Sequence, residues 1–209
     1  MIDAFIDFAQ SLFPSISPYV KEQTKEALKQ FERDNKRIDL FDQKPFDFLS
    51  QGDILEGIPF LSLDENGEVQ AYTGKGMIIS NTCSCEHDDN IIIAPMIKLD
   101  DLSVEKSSIR KNLNYRLFYL PANDYDEYVV DFSLMNTHNK QVINNMINAG
   151  KINREKSLNV FGFYLLLTKL TICFMRPEDK DVQYERRTDF EKRHVLKESF
   201  VDFNYGTVS

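Results

Sequence analysis

Tryptophan is absent from this 209-residue chain, and cysteine, histidine and long apolar runs are scarce. Without Trp, the sixteen Phe and nine Tyr supply all the aromatic content, and they predict a well-filled, aromatic-rich interior. Three cysteines are an odd number, and Cys83 and Cys85 are nearly adjacent. That excludes a disulfide framework and leads us to expect a reducing, cytoplasmic setting. A signal peptide would need a basic start and a clean apolar core, yet Asp3 and Asp7 interrupt the first ten residues. The longest apolar-dominated run, Val160 to Met175, contains Lys169 and is shorter than the roughly 20 residues of a membrane span. No membrane partner is expected. Internal repeats and low-complexity tracts are also missing.

Basic charge is lacking in one segment. Residues 52–105 carry 11 acidic side chains but only Lys75 and Lys98, while residues 106–156 carry 8 basic and 5 acidic ones. The acidic segment also has the most strand character. A phosphate backbone is repelled from such a surface, so RNA is disfavoured as a partner.

What is present reads as one domain with appendages. Ile2, Phe5, Ile6, Ala9 and Leu12 recur at helical spacing up to Pro14, and a second helix is expected from Ser17-Pro18 to Arg37. We divide the chain into a helical extension at 1–45, a main body at 46–176 and a charged tail at 177–209. In the body, Gly52 to Leu63 predicts a strand, and Asp64-Glu65-Asn66-Gly67 a hairpin turn, because Asn-Gly suits positive φ. Glu68 to Tyr72 is the return strand. Residues 100–114 predict one helix, Arg116–Leu120 and Tyr128–Phe132 two strands, and 139–149 a short helix. His138 falls in a turn-like, exposed stretch. Ser157 to Met175 predicts a helix that is apolar almost all round and therefore buried, with Cys173 in the core.

The chain is organised around Gly74 to Ile97. Two β-branched runs, Met77–Ile79 and Ile91–Ile93, read as adjacent buried strands, the second ended by Pro95. Between them lies a polar loop with Cys83, Cys85 and His87. These offer zinc soft and borderline ligands, although Cys-x-Cys is tighter than the usual C-x₂₋₄-C. A second reading pairs a cysteine nucleophile with His87, against acidic surroundings that raise a thiol pKa. A third packs Cys83 at a strand end as a small hydrophobe and leaves the rest as exposed loop.

The order GDI, hairpin, GMIIS, IIIAP, a strand ending LP, and VVDFS, followed by a short and then a long apolar helix, resembles the MazF/PemK toxin family over residues 51–175. Members of that family carry GDI, RPALVLS and VVVAPIT in corresponding places. The resemblance implies an α+β fold built on an SH3-like, twisted antiparallel β-barrel with a C-terminal helix. It also implies an endoribonuclease, usually dimeric and neutralised by a partner protein. The family's catalytic arginine falls on Gly74 and its threonine on Ile97, so both side chains are missing here. Lys75 is the nearest cation, but it lacks the planar guanidinium fork.

The expectation is a catalytically altered member acting as an interaction or accessory module, with a protein partner or a second copy, in a toxin–antitoxin or phage-defence setting. The alternatives are an endoribonuclease with a displaced site using Lys75, Ser80 and Arg116, and a zinc protein built on Cys83, Cys85 and His87.

Overall fold

A computed structural model describes residues 40–42, 44–120, 125–175 and 179–186. The two expected N-terminal helices and the tail beyond residue 186 lie outside these residues. The chain divides into two compact units, Met1–Phe174 and Met175–Ser209.

The first unit is α+β. Its first described strand is β1 (Ile54–Leu63), after which the chain turns through Asp64–Gly67 and returns along β2 (Val69–Ile78) in antiparallel register from Leu63↔Val69 to Ile54↔Met77. The expected return strand and the Met77–Ile79 strand are therefore one continuous element. The polar stretch after it is a short helix, α1 (Thr82–His87), rather than a loop. Asn81 nucleates that helix by accepting the amide of Cys83 on its side chain at 2.9 Å.

Next comes β3 (Asn90–Lys98), paired to β2 from Ile78↔Ile93 to Lys75↔Met96. Pro95 was expected to end this strand and does not. The Ile79 amide donates to the Ile92 carbonyl, which makes Gly76↔Pro95 a pair without mutual hydrogen bonds. The nitrogen of Pro95 thus points away from β2. On that side β3 is joined at Met96–Lys98 by β5 and at Asn90–Ile93 by β6, and Pro95 lies between the two paired stretches.

The expected helix at 100–114 reduces to a 3₁₀ turn (Leu99–Asp101) and α2 (Lys106–Arg110). Then follow β4 (Leu117–Tyr119), β5 (Tyr128–Asp131), β6 (Asn136–Asn139), α3 (Lys140–Asn148), β7 (Asn153–Lys156) and α4 (Val160–Phe174). Neither β6 nor β7 has the apolar alternation that betrays a strand, because both are edge additions rich in Asn, Lys and Arg. His138 is accordingly a half-buried member of β6 opposite Ile91, not a turn residue. Its ring stands edge-on to Phe60 at 6.0 Å, and burial lowers its pKa.

The strand order is β4-β5-β3-β2-β1-β7, with β6 beside β5 on β3. This path is open. It is nevertheless strongly curled, since the amide of Leu61 on β1 donates to Asn136 Oδ1 on β6 at 2.7 Å across two intervening strands.

Both faces of the sheet are covered, which explains runs of apolar residues instead of alternation. Ile54, Met77 and Ala94 point into a core shared with Phe118, Val130 and α4, while Leu55, Ile78 and Ile93 point into one shared with α3 through Ile143. Ile91 and Ile93 are fully buried, but Ile92 alternates outward and is 39% exposed. Helix α4 is less buried than its composition predicts: Val160, Ile172 and Phe174 are exposed, and Cys173 is half-buried against the core. Lys169 is the reverse, a lysine 5% exposed. Its ammonium donates to the carbonyls of Asn112 (2.9 Å) and Asn114, tying the loop after α2 to α4, and burial pushes its pKa down to about 8.

In the second unit, the described residues form α5 (Lys180–Glu185), capped by Asp179 accepting the amide of Val182 at 2.9 Å. Among the described residues, no helix is long and apolar enough to cross a membrane.

Candidate functional site

The Gly52-Asp53-Ile54 tripeptide sits where the chain enters the sheet, and its residues have structural duties. Gly52 has φ +90°, and a Cβ there would lie 2.4 Å from Leu158 Cδ1. Asp53 is 1% exposed. Its Oδ1 accepts the hydroxyls of Ser50 and Ser157, each at 2.6 Å, and its Oδ2 accepts the Ser50 amide at 2.9 Å and Arg154 Nη2 at 3.1 Å. Arg154 also donates to the carbonyl of Phe48 at 2.6 Å, while Ser157 Oγ accepts the amide of Phe46 at 3.0 Å. A buried carboxylate with four donors joins the 46–53 entry segment to β7 and to the residue that follows it. Sequence reasoning missed Arg154 and Ser157, because nothing local marks Asn-Arg-Glu-Lys-Ser as a strand edge facing Asp53.

A second polar cluster surrounds Lys75. Cross-strand pairing sets Lys75 opposite Glu56, with Nζ 3.1 Å from that carboxylate, and β7 brings Glu155 onto the same ammonium. Tyr125, itself buried, donates its hydroxyl to Glu155 Oε2 at 3.0 Å. Lys75 is raised in pKa by its bonds to Glu155 and then Glu56, which outweigh the opposing effect of burial. The cation is thus held between two carboxylates, and the three charges sum to −1.

The β2–β3 pairing ends at Lys75↔Met96, and Gly74 and Ile97 are the next residues of the two strands beyond that last pair. Gly74 has open space around it, since a Cβ would meet only ring atoms of Tyr72, at 4.0 Å. Lys75, Ser80 and Arg116 are not brought together. Ser80 lies five residues along the strand direction from Lys75, roughly 16 Å in extended chain, and its hydroxyl accepts the amide of Ile92 at 2.8 Å. Arg116 precedes β4, three strands along the sheet from Lys75 by way of Met96 and Val130.

No protein-family model matches the sequence, and no curated protein matches it significantly.

Helix α1 separates the three residues read as zinc ligands or as a nucleophile pair. At about 100° per residue, Cys83 and His87 share one face and Cys85 takes the other. Cys83 and His87 are exposed, whereas Cys85 is 5% exposed, with Sγ 3.7 Å from the carbonyl of Ser80. The expectation that Cys83 packs as a small hydrophobe at a strand end is therefore corrected: Cys83 is exposed on a helix, and the buried thiol is Cys85. Burial, with a smaller effect from the charge of Asp53, pushes the Cys85 thiol up to about 11. That disfavours the thiolate a nucleophile needs.

A shallow cleft of about 270 Å³ lies where the entry segment meets α1 and α4, lined by Phe46, Phe48, Gln51, Thr82, Val160 and Phe163 among others. Gln51 closes its floor: its amide donates to Thr82 Oγ1 at 3.2 Å and its Nε2 to the carbonyl of Ile79 at 2.8 Å. These bonds anchor α1 to the strand ends.

Proposed function

We propose that the chain is a divergent MazF/PemK-like protein, its curled sheet a relative of the SH3-like barrel, which has lost ribonuclease chemistry and serves as an interaction or accessory module. The setting that goes with this reading is a bacterial toxin–antitoxin or phage-defence system in the cytoplasm. The observation that carries it is a Lys75 neutralised by Glu56 and Glu155 and paired with Met96, with Gly74 and Ile97 the next residues along the two strands. RNA cleavage of this type needs a group to activate the 2′-hydroxyl and a cation against the scissile phosphate as charge develops. At the two places where the resemblance puts those groups stand a hydrogen atom and an aliphatic side chain. The adjacent ammonium has two carboxylate partners already, and a phosphate would have to displace them from a cluster of net negative charge. Ser80 lies beyond the end of β2 with its hydroxyl accepting the Ile92 amide, and Arg116 precedes β4 three strands along the sheet, so neither is a strand neighbour of Lys75.

The test is single-stranded RNA cleavage at low salt by the unaltered chain and by Lys75→Ala. No cleavage above a mock preparation is expected from either. Cleavage by the unaltered chain that disappears in Lys75→Ala would overturn the proposal in favour of a displaced nuclease site. A Cβ at Gly74 meets only Tyr72 ring atoms at 4.0 Å, and RNA cleavage gained by Gly74→Arg combined with Ile97→Thr would support the family reading.

A further inference from the structure

The outward face of the β1–β2 hairpin is apolar where a solvated hairpin would be polar. From Pro59 onward, alternate residues of β1 face outward, and the register sets Leu61 opposite Ala71 and Leu63 opposite Val69. Leu61 is 59%, Leu63 70% and Val69 67% exposed. Together they form an exposed apolar ladder on the order of 300 Å², comparable to the largest patch on a typical monomer and frequently functional at that size. The turn joining the strands adds Asp64, Glu65 and Glu68, and residues 57–74 contain no lysine, arginine or histidine.

The hydrogen-bond pattern says how this face can be used. The amide of Asp64 donates to the carbonyl of Glu68, so the main-chain groups of Leu61 and Leu63 point away from β2 along the free edge of β1. That edge is blunted. Pro59 has no donor, and the Leu61 amide is already taken by Asn136 Oδ1 at 2.7 Å. Addition of a strand to the sheet is therefore disfavoured, and the side-chain face remains as the docking surface. Two copies packed through it with their turns together would oppose six carboxylates. A partner with an apolar stripe flanked by Lys or Arg instead meets complementary charge.

We propose that the outward face of the β1–β2 hairpin, with its Leu61–Leu63–Val69 ladder and acidic turn, docks a basic amphipathic segment of another protein. This names a partner chemistry for the interaction module proposed above and rests on that reading, but its test is independent of RNA cleavage. The probe is a synthetic Leu/Lys amphipathic helix, with a Leu/Glu helix of the same apolar face as its counterpart, titrated against the full chain by fluorescence anisotropy. The Leu/Lys helix is expected to bind and the Leu/Glu helix not to. Binding should weaken at least roughly tenfold in Leu61→Ser/Leu63→Ser, which keeps the charge. It should also weaken in Glu65→Gln/Glu68→Gln, which keeps the ladder, and decline with added salt. Because these positions are exposed, the variants should retain the far-UV circular dichroism of the parent. Absence of binding, equal binding of both helices, or binding indifferent to either hairpin variant overturns the proposal. So does a dimer in sedimentation equilibrium that Leu61→Ser/Leu63→Ser dissolves, because the ladder would then be covered by a second copy.

Discussion

Replacing Asp53 by Asn changes almost no volume but removes one charge from a site 1% exposed, and it tests whether the entry segment hangs on that carboxylate. Asn can keep an oxygen toward the Ser50 amide and Arg154, and its amide can donate to the two hydroxyls after they rotate. The loss is therefore mainly the charge opposite Arg154, whose side chain is 17% exposed. Leaving one member of a buried ion pair uncompensated costs about 3–5 kcal/mol. The surviving bond from Arg154 to the carbonyl of Phe48 offsets part of that, so about 3 kcal/mol is expected. In a unit of this size that lowers the melting temperature by roughly 6–12 °C. Urea unfolding followed by circular dichroism, with tyrosine fluorescence as the second probe, measures it directly. Arg154→Met should be destabilising alone, and the double variant should cost at least about 1 kcal/mol less than the sum of the two. A loss under about 1 kcal/mol for Asp53→Asn, or strict additivity in the cycle, would refute the reasoning.

Three further outcomes follow from the same structure. Gly52→Ala should destabilise by more than about 2 kcal/mol, combining positive φ with the clash on Leu158, whereas Gly67→Ala, with positive φ but open space, should cost about 1 kcal/mol. Equal costs would show that the Leu158 contact is relieved. Lys169, with a folded pKa of about 8 against an ordinary 10.5, releases its proton in the folded state first, so the unfolded state binds more protons between those values. Stability should accordingly rise by about 2 kcal/mol from pH 8 to pH 10, with no such slope below pH 8, and Lys169→Met should abolish the rise. Thiol labelling at pH 8 should modify Cys83 rapidly and Cys85 only on unfolding, and rapid labelling of Cys85 in the folded chain would mean that α1 opens.

Strand existence was legible wherever burial on both faces left a mark in the residues. Met77–Ile79 is apolar without interruption because alternate side chains enter two different cores, and Ile91 and Ile93 share one of those cores while Ile92 between them faces outward. The Asn66-Gly67 turn was legible because its backbone needs positive φ, which is a local requirement. The polar edge strands β6 and β7 were not. Nothing in Asn136–Asn139 or Asn153–Lys156 demands a sheet, and they become strands because β3 and β1 offer unpaired edges. The site divides in the same way. Local chemistry singled out Lys75, Cys83, Cys85 and His87, but residue type cannot reveal a partner 80 positions away. Glu155 on the Lys75 ammonium, Arg154 and Ser157 on Asp53, and the opposite faces given to Cys83 and Cys85 by a six-residue helix all depend on long-range placement. Pro95 shows the limit most clearly. Its missing donor is a local fact, but whether that ends a strand depends on which way its nitrogen points, and here it points away from β2.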